Sequence, residues 1–361
     1  MNKLYASAAA SALMALASGA HGAGLERWDQ SVEILFEEGT YVEFGFAITD
    51  PDVSGQLGPL SSGDMAESFS NWGVRFKTDL NDKLALAVMA DQPIGANVDY
   101  PLSAFPYPFA GSTAEVNGVT LTAALKYQFD ERWSAIGGLR LQQLDGSVAI
   151  PVFGNYALEV DDSYELGGVV GIAYEIPDIA LRVALTYHSE FEHSFSGTET
   201  ITDPLTGITA TLPSTFETTI PQAVNLEWQT GIAANTLLFG KVRWVEWSVF
   251  EIAPPVFGQP LAFIRDDYIT YTLGVGYRFN ENWAAAIEAG YEPQANSPQG
   301  NLGPTDGGNF ISAGATYTQG NTDFTFGALY TDVGDAITTT IGSDFAGNDS
   351  WSLGFRIGQR F

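Results

Sequence analysis

The feature that most restricts how this chain can fold is the way its connections alternate in length. Strand-like runs with a period of two recur at Tyr41–Ile48, Ser70–Lys77, Leu84–Ala90, Glu115–Phe129, Ser134–Leu144, Ser163–Tyr174 and Ala180–Ser189. They continue at Phe216–Thr230, Leu237–Phe250, Ile269–Phe279, Trp283–Tyr291, Phe310–Tyr317, Phe324–Thr331 and Trp351–Phe361. Every second link is short and polar: Asp79–Lys83, Asp130–Arg132, Pro177-Asp178, Ala233–Thr236, Asn280–Asn282 and Gly320–Thr322. The links between them are long, as in Asp91–Ala114, Glu190–Thr215, Glu251–Asp267, Glu292–Asn309 and Asp332–Ser350. A membrane-spanning antiparallel β-barrel sorts its loops in this way, with short periplasmic turns and long extracellular loops. The runs number about fourteen, an even count that suits such a barrel and puts both chain ends in the periplasm.

The last run carries the same pattern to the final residue. Trp351, Leu353, Phe355 and Ile357 alternate with Ser352, Gly354, Arg356 and Gly358, and the chain closes on Phe361. One apolar and one polar face fit a strand between lipid and lumen. An edge strand of a soluble β protein is the alternative, although an exposed apolar edge recruits other strands. A terminal Phe after alternating apolar residues resembles the signal read by the barrel-assembly machinery, an expected partner through the Phe361 strand. Gln359 departs from it, with a polar residue at an outward position.

Composition narrows the class further. Only the N-terminus approaches the roughly 18–20 apolar residues of a membrane helix. There Lys3 precedes an Ala/Leu/Met stretch ending in small residues around Ser18–Gly22, so residues 1–22 read as a secretory signal peptide, cut before Ala23 or His21. The chain has no cysteine, so no disulfide is available outside the cytoplasm. The net charge of −28 argues against nucleic acid as a partner. A 45% hydrophobic content with regular alternation excludes general disorder. Residues 23–39 form a short acidic, amphipathic segment: Glu26, Asp29, Glu33, Glu37 and Glu38 mix with Leu25, Trp28, Ile34, Leu35 and Phe36. It is expected to plug a barrel formed by residues 40–361.

Two short turns share one frame, Tyr127-Gln-Phe129-Asp-Glu-Arg-Trp133 and Tyr277-Arg-Phe279-Asn-Glu-Asn-Trp283, which suits an aromatic girdle at a membrane interface. The loop Asp91–Ala114 is unusually apolar, with Leu102, Phe105, Tyr107 and Phe109 among its residues. It reads either as a capture groove for a hydrophobic ligand or as a loop packed on the barrel mouth. By strand parity Arg75, Lys77, Lys126, Arg140, Arg182, Arg278, Arg356 and Arg360 face the lumen, and Lys241 and Arg243 can join them. These cations can hold a carboxylate headgroup. They can equally pair with Glu165, Glu227, Glu288 or the acidic N-terminal segment. His188, Glu190, Glu192 and His193 read as an exposed polar loop base rather than a metal site. No nucleophile elbow, P-loop or cofactor motif is present.

Several stretches resemble the FadL/TodX family of outer-membrane transporters for long-chain fatty acids and other hydrophobic compounds. One is Ile220-Pro-Gln222 followed by Phe239-Gly-Lys-Val-Arg-Trp-Val-Glu-Trp247-Ser-Val-Phe250. A second runs from Asp267–Phe279 through Asn282-Trp283 and Tyr291-Glu-Pro293 to Pro304-Thr-Asp306 and Ile311–Tyr317. A third joins Asp91-Gln-Pro-Ile-Gly-Ala96 and Tyr100 to Leu121–Phe129 and Trp133. The family often carries Asn-Pro-Ala in an N-terminal hatch, where this chain reads Ile34-Leu-Phe-Glu-Glu-Gly39. The resemblance implies a fourteen-stranded plugged barrel with capture at an apolar extracellular groove, transfer to an inner pocket and lateral exit into the bilayer. The expected function is passive uptake of long-chain fatty acids or similar hydrophobic molecules, without a cofactor and by a monomer set among outer-membrane lipid and lipopolysaccharide. Its expected binding residues are Leu102, Phe105, Tyr107, Phe109, Arg140, Arg243 and Arg278. A general diffusion porin with a water-filled lumen and a barrel enzyme are the other two readings.

Overall fold

The computed structural model describes residues 24–361 other than 29 and 204, and the expected signal peptide lies outside them. Fourteen antiparallel strands close into a barrel. The first seven are β1 (Tyr41–Asp52), β2 (Phe69–Asn81), β3 (Leu84–Asp91, resuming as Gly95–Asp99), β4 (Thr113–Gln128), β5 (Trp133–Ile150), β6 (Tyr156–Ile176) and β7 (Leu181–His188, resuming as Phe191–Thr202). The rest are β8 (Thr209–Ile220, resuming as Ala223–Ala233), β9 (Thr236–Val245), β10 (Tyr268–Arg278), β11 (Trp283–Glu292), β12 (Gly308–Gln319), β13 (Thr322–Val333) and β14 (Asn348–Arg360). Closure comes from β14 pairing with β1, from Tyr41↔Arg360 to Asp52↔Asp349.

The alternation places large apolar side chains outside. Phe44, Phe76, Leu125, Leu139, Leu166, Leu273, Ile287, Phe326 and Leu353 are all exposed on the outer wall. This is the inverse of a soluble fold and matches a lipid-facing band. The two repeated turns adopt one geometry. Asp130 Oδ1 accepts the N–H groups of Arg132 and Trp133 at 2.8 and 2.9 Å, and Asn280 Oδ1 accepts those of Asn282 and Trp283 at 2.9 Å each. The two backbone donors hold the Asp130 carboxyl below the usual carboxylate range. Tyr127 meets Phe129 edge-on at 5.3 Å, as Tyr277 meets Phe279 at 5.0 Å. Trp133 and Trp283 each lean on a tyrosine of the next strand, Tyr174 at 4.8 Å and Tyr317 at 4.9 Å. Exposed Tyr164, Tyr187, Tyr271, Tyr291 and Trp351 form the opposite belt.

Inside, charges are paired across neighbouring strands. Glu43 of β1 lies between Arg75 of β2 (3.7 Å) and Arg356 of β14 (2.9 Å), all three nearly inaccessible. Arg360 holds both Glu37 and Asp323, at 3.0 and 2.5 Å.

Three sequence expectations are corrected. Glu190–Thr215 is not a loop: Phe191–Thr202 and Thr209–Ile220 form a long extracellular hairpin in continuous register. Phe216–Thr230 is not one strand, because Pro221 removes a ladder donor and the strand breaks there. His188 and His193 are buried, not exposed. Ser189-Glu190 switches the inward parity from His188 to Phe191, so this hairpin leans in over the lumen. Its inward face (Phe191, Phe195 and Ile220) packs on Trp247, Phe250 and Ile264.

Candidate functional site: apolar cavities above a closed lumen

The N-terminal segment lies inside the barrel and closes its lower half. Trp28 wedges against the wall where β1 and β2 carry the paired glycines Gly45 and Gly73. A Cβ on either glycine would come within 3.1 Å of the indole. Val32, Ile34 and Leu35, around the 3₁₀ turn Glu33–Phe36, pack on Ala87, Met89, Ala124, Ile136 and Val169 of the inner wall. The Phe36 ring sits beneath Lys126 and Arg182, at 4.4 and 4.6 Å.

Above this seal the segment joins the wall. β2–β3 pairing ends at Gly73↔Asp91, where Pro93 interrupts β3. The Trp72 N–H then finds only the Gln92 side chain, at 3.2 Å. Beyond the kink β3 pairs with β4 but not with β2. The vacated edge is taken by the N-terminal segment: Gly95 N–H donates to the Leu25 carbonyl at 3.0 Å, and Arg27 N–H donates to the Pro93 carbonyl at 2.9 Å. The kink therefore draws β3 into the lumen and leaves a local separation between β2 and β3. It is closed above where Met65–Glu67, just before β2, pair again with Asn97–Asp99 (Glu67 N–H to the Asn97 carbonyl at 3.1 Å, Asp99 N–H to the Met65 carbonyl at 2.9 Å).

Among the described residues, three cavities lie in the upper barrel. The first, about 1040 Å³ of space partly open to solvent, reaches from Phe250, Ile264 and Leu302 in the lumen to Phe69, Ala96 and Val98 on the two sides of the β2–β3 separation. The second, about 1450 Å³, opens outward beside Phe109, Phe153 and Phe257. The third, about 420 Å³, lies between Leu144, Val148 and Leu158 of the wall and Phe195 and Phe216 of the leaning hairpin. Phe250, buried and edge-on to Trp247 at 5.9 Å, lines all three. The β9–β10 connection roofs them. Glu199 fastens it by accepting the N–H groups of Val256 and Phe257 at 3.1 and 2.8 Å, while also taking the hydroxyls of Tyr156 and Ser214.

The residues nominated from sequence separate into groups. Leu102 and Phe105 stand at the loop tip, 78% and 81% exposed. Tyr107 and Phe109 of the same loop are buried, stacked through Tyr100 on the barrel mouth, and Phe109 borders the outward cavity. Arg243 grips Glu26 of the N-terminal segment through Nε and Nη2 and reaches Asn225 at 2.7 Å. Arg140 bonds Gln30 and the Ser189 carbonyl and lies over the Phe191 ring. Arg278 is at the periplasmic rim, against Asn235 at 3.2 Å, away from the three cavities. The structure brings Phe109 to a cavity and gives Arg140 and Arg243 to the N-terminal segment. Phe250 and Arg27, which line the first cavity, were not nominated. Phe250 stood within the quoted Trp-Ser-x-Phe stretch, and Arg27 within a segment read for its acids.

The match to known proteins follows this geometry. Residues 3–336 match the family model described as outer membrane protein transport protein (OMPP1/FadL/TodX). The chain belongs to this family. The fold agrees with solved structures of low sequence identity. A Pseudomonas aeruginosa FadL homologue superposes with a TM-score of 0.77 at 14% identity, covering 90% of this chain and 91% of that one. The Pseudomonas putida toluene transporter TodX gives 0.69 at 10%, covering 96% and 98%. The Ralstonia pickettii toluene transporter TbuX gives 0.62 at 12%, covering 90% of each. A search of the curated proteins finds no match. As a member of the family, the chain is a transport protein of the bacterial outer membrane.

Proposed function

We propose that the protein is a passive channel for hydrophobic small molecules, long-chain fatty acids among them, which leave sideways into the bilayer. The observation that carries this reading is the course of the first cavity. Its apolar wall runs from the covered mouth to the β2–β3 separation, while the N-terminal segment fills the lumen below. A solute that prefers hydrocarbon to water is driven toward such an exit, and residues 23–39 act as the plug that denies the straight path. Solved relatives, two toluene transporters and a monoaromatic hydrocarbon channel, support the same chemical class. Leu102 and Phe105 serve as the first contact, an exposed apolar pair on a loop otherwise anchored by Tyr107 and Phe109. Arg140, Arg243 and Arg278 act on the plug and the rim rather than on the ligand.

Saturable binding of a radiolabelled long-chain fatty acid to the purified protein in amphipol, with little steady conductance in a planar bilayer, is the expected outcome. Large steady conductance with no saturable binding sinks the proposal in favour of a general porin.

A further inference from the structure

Arg27 is a buried cation that forms no ion pair among the described residues, the charge of Glu115 acting on it only from beyond ion-pair distance. Its side chain is 7% exposed. The guanidinium lies over the Phe69 ring at 4.0 Å, and Nη2 donates to Asn97 Oδ1 at 2.5 Å. Nε is enclosed with no acceptor among the described residues. Among the described residues no carboxylate stands within ion-pair distance of it, whereas Arg75, Lys77, Lys126, Arg243, Arg356 and Arg360 all have one. The position is built in. The backbone of Arg27 is fixed on the kinked β3 at Pro93, and Gly95 gives the guanidinium room, since a Cβ there would lie 2.5 Å from Nη1. Arg27 is also the one cation lining the first cavity, among Leu25, Met65, Phe69, Val98 and Ile264. Two carboxylates line that cavity as well: Glu292, whose Oε2 accepts the Thr270 hydroxyl, and Glu67 on the exposed outer side.

Withdrawing a guanidinium from water is unfavourable unless an anion or a set of acceptors replaces the water. Here a cation–π contact and one amide offset only part of that. A carboxylate is the natural complement, because a guanidinium offers it a pair of parallel donors. We infer that Arg27 is the headgroup site of the first cavity, binding the carboxylate of a fatty-acid-like amphiphile whose chain lies along the apolar wall. Bound in this way, the molecule has its head on the plug and its tail at the β2–β3 separation, oriented for passage into lipid.

This rests on the proposed transport of hydrophobic compounds, so the test uses two probes that differ only in the head. Binding of palmitate and of methyl palmitate is measured by competition with the wild-type protein and with Arg27→Met and Arg27→Lys, all first checked for the heat-modifiable gel migration of a folded barrel. Loss of one charge-assisted contact should weaken palmitate roughly 10- to 100-fold in Arg27→Met. Methyl palmitate should stay within about twofold, and Arg27→Lys should recover part of the palmitate affinity. Unchanged palmitate binding in Arg27→Met overturns the inference, as does an equal loss for acid and ester, which would mean that Arg27 only shapes the cavity. Wild-type protein that binds the ester but not the acid also overturns it while leaving the transport reading intact. If wild type binds neither, both fall.

Discussion

Single residues decide how the barrel is filled. Trp28 fits because Gly45 and Gly73 are opposite each other on adjacent strands. Truncating it in Trp28→Ala should loosen the seating of the plug by about 3–5 kcal/mol, the usual range for removing a buried aromatic. Limited proteolysis would then cut residues 24–39, and steady conductance would rise. Glu43 works on the same scale. It neutralises Arg75 and Arg356 together, so Glu43→Gln leaves two buried cations with a weaker acceptor and should cost about 3 kcal/mol or more. The measurement is the temperature at which the folded gel band is lost, expected to fall clearly below wild type. Strand parity was enough to read Arg75 and Arg356 as lumen-facing. Their shared partner was not legible, because Glu43 and Arg356 are 313 residues apart and meet only through the register in which β14 closes on β1.

At the scale of elements, the strands were legible and their breaks were not. The repeated frame around Asp130 and Asn280 carries aromatics, a capping side chain and spacing together, and both copies fold alike. The hairpin of β7 and β8 escaped detection because Ser189-Glu190 shifts the inward face by one residue, which destroys the period that a strand is read from. The kink of β3 is a similar case: Asp91-Gln-Pro-Ile marks a break, but alternation gives no sign that the N-terminal segment replaces β2 as the neighbour of β3. The leaning hairpin and the β9–β10 connection converge on Phe250. Phe250→Ala should join the three cavities into one. Fatty-acid affinity, read by equilibrium binding, should fall roughly tenfold through loss of an aromatic contact surface. Unchanged affinity would place the ligand outside all three.

For the molecule as a whole, the charge of −28 and the scarcity of lysine and arginine have a simple consequence. Arg75, Arg243, Arg356 and Arg360 are tied to carboxylates of neighbouring strands or of the N-terminal segment, so they serve closure before recognition. The apolar residues divide between a lipid-facing band and the upper cavities, with the plug between the cavities and the periplasm. Under the proposed function, such a layout sends the ligand through the wall rather than along the axis. Filling the β2–β3 separation tests this most directly. Ala96 is half-buried on the kinked β3 beside the first cavity. Uptake of a radiolabelled long-chain fatty acid would be measured in cells whose only such channel is the wild-type protein or Ala96→Phe, each assembled to equal levels as a heat-modifiable barrel. With exit through the wall, Ala96→Phe loses uptake while the purified variant still binds the fatty acid within a few-fold of wild type. Uptake as fast as wild type with the opening filled would contradict lateral exit at this site.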